Sequence, residues 1–91
     1  MAGYFTMDVT TTPGIVTVTL TSQSGYKGDV DVAFSYFDSP EPTPSIDPAA
    51  ATLFVPCGGQ IAQEVEVDGT GWRLEIVASD GDQTDDLSIG I

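Results

Sequence analysis

The chain has 91 residues, 41% of them apolar or aromatic, enough to build one small core and no second domain. Fourteen acidic residues against two basic ones, with no histidine, give a formal charge of −12, which disfavours direct contact with nucleic acid or an anionic membrane surface. A single cysteine excludes an intrachain disulfide and a multi-cysteine zinc site, and without histidine neither a Ser-His-Asp nor a Cys-His pair can be assembled. Valine, isoleucine and threonine supply 26 residues, against 16 for Leu, Met, Gln, Glu, Lys and Arg together, so local preference favours strands over a helix bundle.

The chain opens Met1-Ala2-Gly3-Tyr4-Phe5-Thr6 with neither a basic nor an apolar leader, and is expected to be a complete product made in the cytoplasm without a signal peptide. Its apolar runs are a few residues long, far short of the roughly 20 a membrane helix requires, so a soluble protein is expected. Residues 4–10 alternate Phe5, Met7 and Val9 with Tyr4, Thr6 and Asp8, which predicts a first strand with aromatic character on both sides. Pro13-Gly14 then turns the chain into Val16, Val18 and Leu20 alternating with Thr17, Thr19 and Thr21, the period of a strand with one face buried. After Ser22-Gln23-Ser24-Gly25, a third alternation sets Val30, Val32, Phe34 and Tyr36 inward and Asp29, Asp31, Ala33 and Ser35 outward.

Residues 37–51 hold Pro40, Pro42, Pro44 and Pro48. Proline lacks the ladder donor and fixes φ, so the segment reads as a proline-rich connection between sheets, or as a loop reaching toward a partner, and Ala49-Ala50-Ala51 reads as an added helical turn. Thr52-Leu53-Phe54-Val55 predicts a short strand ended by Pro56-Cys57-Gly58-Gly59. Ile61, Gln63, Val65 and Val67 then alternate with Ala62, Glu64 and Glu66, and after Asp68-Gly69-Thr70-Gly71 come Trp72, Leu74 and Ile76 between Arg73, Glu75 and Val77. The pattern predicts a hairpin with an inward Trp72, in which Arg73 faces Glu64 or Glu66 according to which two residues form the turn. A last alternation, Leu87, Ile89 and Ile91, follows the acidic stretch at residues 80–86.

About seven short strands at these spacings predict a single antiparallel β-sandwich over residues 1–91 with Greek-key connections, a partly closed barrel being the other solution. With Trp72 inward on a late strand and a proline-rich crossover in mid-chain, the pattern resembles the immunoglobulin-like or fibronectin type III-like superfold. The resemblance extends to small virion accessory proteins, phage capsid decoration or tail-associated proteins in particular, which are likewise acidic, single-domain and made without a signal peptide. It implies a non-catalytic structural or interaction module that binds viral structural subunits or itself, localised in the virion.

Four groups of residues are candidates for function. Tyr4, Phe5, Phe37 and Ile46, at the start of the chain and in the proline-rich connection, are the expected partner contacts. Asp29, Asp31, Glu64, Glu66 and Glu75 fall on outward positions and are expected to form an acidic face. That face reads as a solvated surface, as adaptation to high salt, or as a mimic of DNA phosphates filling the basic groove of a nucleic-acid enzyme. Asp80, Asp82, Asp85 and Asp86 in a glycine-containing loop are a weak calcium candidate, their spacing departing from a complete EF-hand loop. Cys57 has no basic neighbour in sequence to activate it and reads as a buried or bystander thiol. No cofactor and no catalytic residues are implied, and a chain this small leaves little room for the cleft that acid–base chemistry on a glycan needs. A carbohydrate-binding or adhesive module is the remaining alternative.

Overall fold

A computed structural model describes residues 4–38, 42–68 and 71–91. Residues 1–3, residues 39–41 of the proline-rich stretch, and Gly69 and Thr70 of the expected hairpin turn lie outside the described residues. Eight strands run in chain order: β1 (Phe5–Thr12), β2 (Ile15–Ser22), β3 (Gly28–Tyr36), β4 (Ile46–Asp47), β5 (Ala50–Val55), β6 (Gln60–Val67), β7 (Arg73–Ser79) and β8 (Thr84–Gly90). They form two four-stranded antiparallel sheets, β1-β2-β6-β4 and β5-β3-β7-β8. The architecture is therefore all-β and sandwich-like, with two separate sheets rather than a partly closed barrel. No helix among the described residues is long and apolar enough to cross a membrane.

The period-two pattern explains the core. In β2, Val16, Val18 and Leu20 are buried while the threonines between them are not; in β3, Val30, Val32, Phe34 and Tyr36 are buried while Asp29, Asp31, Ala33 and Ser35 face water. Phe5, Val65 and Val67 join them from the first sheet, and Leu53, Val55, Leu74, Ile76 and Ala78 from the second, as one cluster. No charged side chain is buried among the described residues, and the Tyr36 hydroxyl at the core's margin donates to the Ser45 carbonyl at 2.9 Å, so burial leaves no polar group without a partner there. Pro13-Gly14 joins β1 to β2 with Thr12 paired to Ile15. Proline's fixed φ suits the first central position of that turn, and Gly14 takes the positive φ of 79° that a side chain would strain.

Several sequence expectations change. The strands number eight rather than about seven, because Ile46-Asp47 inside the proline-rich connection pairs with Val67 and Glu66 as an added edge. Ala50 and Ala51 begin β5 instead of adding a helical turn. The largest change concerns β6 and β7, which do not form a hairpin. β6 pairs with β2 and β4, β7 pairs with β3 and β8, and the chain between them crosses from one sheet to the other. Glu64 therefore lies opposite Thr17 and Glu66 opposite Ile15 and Asp47, while Arg73 lies opposite Gly90 and donates through Nε to the Ser88 hydroxyl at 3.1 Å.

Candidate functional site

The molecule is elongated, 41 × 21 × 18 Å, and its connections gather at two ends. At one end three loops are laced together by polar groups. Gln83, between β7 and β8, accepts from the Tyr4 backbone N–H at 2.5 Å and donates through Nε2 to the Phe5 carbonyl at 2.9 Å and to Asp85 Oδ2 at 2.8 Å. Asp80 accepts the N–H groups of Asp82 and Gln83, each at 2.8 Å, closing the turn on itself. Tyr26 stacks on Tyr4 with ring centroids 5.4 Å apart and planes 17° from parallel, and reaches Asp80 with its hydroxyl.

Two titrations follow from this arrangement. Backbone donation from Gln83 above all, with Asp82 and the Tyr26 hydroxyl adding to it, holds the Asp80 carboxyl below its ordinary 3.8. Desolvation first, then the hydrogen bond to Asp80 and the charges of Asp80, Asp29 and Asp82, push the Tyr26 hydroxyl up to about 12.

The opposite end is apolar and open. Phe37, directly after β3, is 47% exposed, and Trp72, directly before β7, is 44% exposed. Their backbones prolong the second sheet by one step, since the Phe37 N–H donates to the Arg73 carbonyl and the Ile91 N–H to the Trp72 carbonyl. Beside them an open cleft of about 380 Å³ is lined by Pro13, Gly14, Val16, Val67 and Ile91, and a second of about 300 Å³ by Tyr36, Pro44, Ile46 and Ala49. Mostly apolar walls with a few polar groups are the usual character of surfaces that receive a partner side chain.

The expected contact residues separate on this geometry. Phe5 is 2% exposed and belongs to the core, which corrects its reading as a contact: β1 turns it inward against Tyr26, at 6.1 Å between ring centroids. Tyr4 is half-buried in the polar end, Ile46 is half-buried on β4, and Phe37 is exposed at the apolar end. Trp72, expected inside, is instead on the surface. It keeps the inward parity of β7, but it precedes the strand's first residue, where the opposite sheet no longer covers it. The signal for that was present in the sequence, since Trp72 directly follows a turn cluster. Phe54, 49% exposed on β5, stands between the buried Leu53 and Val55; the apolar clefts leave no mark in the sequence, because residues from distant strands line them.

The acidic residues do not make one face. Asp29 and Asp31 on β3 and Glu75 on β7 lie on the outer side of the second sheet, whereas Glu64 and Glu66 on β6 lie on the outer side of the first. The crossover between β6 and β7 is the cause of this correction. Nor do the calcium candidates converge. Asp80 is occupied by backbone donors and Tyr26, Asp85 by Gln83, and Asp86 is on the opposite side of β8 from Asp85, and no cluster of three metal-ligating residues occurs among the described residues. Cys57 is exposed rather than buried, with its Sγ 3.3 Å from the Gly25 carbonyl to which it donates.

Comparison of the chain with protein-family models, with curated proteins and with solved structures returns no match.

Proposed function

We propose that this chain is a non-catalytic structural module of the immunoglobulin-like superfold, closest in plan to a fibronectin type III-like Greek key, that seats its apolar end on a protein partner. The strand orders β1-β2-β6 and β5-β3-β7-β8 support that plan, with β4 as an added edge. The partner is a structural subunit of a viral particle, so that the module is a capsid decoration or tail-associated accessory protein, made in the host cytoplasm and carried in the virion.

The observation that carries the binding role is the exposure of Phe37 and Trp72 beside an apolar cleft on a molecule of charge −12. Water-exposed aromatics next to apolar clefts are the kind of residue enriched at the centre of protein interfaces. The acidic residues, spread over both outer faces, keep the rest of the surface solvated and discourage unspecific association. A mimic of DNA phosphates is not favoured, because its five carboxylates divide between opposite sides of the molecule. Fold alone assigns no function, so the test is made on the assembly.

Lysate of the source is fractionated by sedimentation, and the chain is quantified in particle and soluble fractions by mass spectrometry. Recovery with particles at many copies, retained at high salt and lost in a Phe37→Ser, Trp72→Ser variant that still folds, is the expected result. Recovery in the soluble fraction, or one-to-one with a DNA-handling enzyme and released by salt, overturns it.

A further inference from the structure

Four strands lie at sheet edges: β1 and β4 in the first sheet, β5 and β8 in the second. Three of them carry acidic residues, Asp8 on β1, Asp47 on β4, and Asp85 and Asp86 on β8. Such charges, or a very short strand, are the usual protection of an open edge. β5, Ala50-Ala51-Thr52-Leu53-Phe54-Val55, has no ionisable residue at all. In a chain of charge −12, it is the edge where a second copy meets the least repulsion.

The phase of its hydrogen bonds is known. Phe34 donates its N–H to the Ala49 carbonyl at 2.8 Å, so by the alternation of a strand Ala51, Leu53 and Val55 point their backbone groups toward β3. Ala50, Thr52 and Phe54 point theirs away, three N–H donors and three carbonyl acceptors facing the open edge. The side chains of these three residues stand on the outer side of the sheet, all exposed.

We propose that β5 pairs antiparallel with β5 of a second copy of this chain, about a two-fold axis passing between the two Thr52 residues. In that register Thr52 faces Thr52 of the other copy, and Ala50 faces Phe54 in both directions. Every outward backbone group of the three residues is then satisfied in six inter-strand hydrogen bonds, and the two four-stranded sheets become one.

The outer surface fits the same register. Phe54 of each copy lands directly across from Ala50 of the other, side by side on one face. Next to Ala50 lies a shallow depression lined by Asp31, Ala33, Ala50, Thr52, Val77 and Ser79, small side chains that leave space for an incoming ring. Phe54, 49% exposed in the single chain, is covered in the pair. The nearest carboxylates are compatible: Asp31 accepts the Thr52 hydroxyl at 2.7 Å, and the two Asp31 residues are separated by three strand spacings, about 14 Å, beyond the roughly 8 Å over which charge acts at physiological ionic strength. Phe37 and Trp72 have no part in the pairing, so the apolar end stays free in both copies and the inference stands apart from the identity of the partner bound there.

The test is sedimentation equilibrium of the full chain over a range of concentrations, together with residue-resolved amide exchange. The expected result is a dimer that strengthens with added salt, as screening relieves the repulsion of two acidic chains, and whose Ala50, Thr52 and Phe54 amides become protected as it forms. Thr52→Pro removes the central outward donor without touching the ladder to β3, and is expected to yield a folded monomer. Phe54→Ser is expected to weaken the dimer about tenfold or more; with Thr52→Glu, which sets two carboxylates face to face at the axis, it carries the test if the proline variant does not fold. A chain that is monomeric at every concentration overturns the inference, as does a dimer that protects other amides and survives these substitutions. A dimer that instead shields Trp72 overturns it too, and shows the apolar end joining copies of this chain.

Discussion

The two ends of this molecule are built from the same kinds of loop and close in opposite ways. At the Tyr4 end, backbone and side-chain hydrogen bonds from Gln83 and Asp80 fasten the first strand to the β7–β8 turn, and Tyr26 fills the gap against Tyr4 and Phe5. At the Trp72 end the chain is also tied, through Ser45, Asp68, Gly71 and Ile91, yet Phe37 and Trp72 remain on the surface beside apolar clefts. The first end covers its aromatic rings with loop and turn residues, and the second leaves Phe37 and Trp72 about half exposed, which is the contrast the proposed binding role rests on.

The aromatics themselves give the largest expected contrast. Phe5→Ala removes a ring from the sealed core and should cost about 3–5 kcal/mol, while Phe37→Ala, at the open end, should change stability by no more than about 0.5 kcal/mol; urea denaturation of both variants measures the difference, and equal costs would erase the distinction between the ends. Gln83→Ala comes next. It leaves the Tyr4 N–H and the Phe5 carbonyl without their partner in a half-buried setting, for an expected loss of about 1–3 kcal/mol, seen also as faster exchange of the β1 amides relative to those near Trp72.

Acid should also loosen the Tyr4 end. Because the folded state holds Asp80 below its ordinary 3.8, its carboxylate contributes stability above that value, and the contribution is lost as pH falls through the lowered one. Thermal melts through this range should show that acid-sensitive component in the natural chain and lack it in Asp80→Asn. Tyr26, raised to about 12, has the opposite sense: its neutral form favours the folded state below its ordinary 10.0 and that preference is lost as pH rises through the folded value. In Asp80→Asn, the Tyr26 step of a tyrosine absorbance titration should move down from about 12 toward its ordinary 10.0, with part of the shift remaining because desolvation is its leading cause. The smallest effect belongs to Arg73 at the open end. Double-mutant cycles of Arg73 with Glu64 and with Glu66 should both give no coupling, where the hairpin expected from the sequence would give about 0.2–1 kcal/mol in one of the two, according to its register.

Within single strands the residue pattern was a reliable guide. The buried sets of β2 and β3 are those their alternation names, since a half-buried strand has to repeat every two residues. Which sheet a strand joins was not legible. Alternation assigns a residue to a side, and Val65 or Leu74 is equally inward whether β6 and β7 are neighbours or lie in opposite sheets. Asp68-Gly69-Thr70-Gly71 has the composition of a tight turn, yet β6 and β7 on either side of it belong to different sheets. From that one ambiguity come the paired Arg73 and the single acidic face. Parity also says nothing of where the covering sheet stops, so Trp72 is inward by count and exposed by position, whereas Phe5, on a strand with aromatics on both sides, reads as surface and is core.

Trp72 is the only tryptophan in the chain, which makes the open end directly observable. Acrylamide quenching of its fluorescence in the isolated, folded protein should be efficient, with long-wavelength emission typical of a ring in water. Short-wavelength emission shielded from acrylamide until the protein unfolds would place Trp72 in the core and contradict an open apolar end.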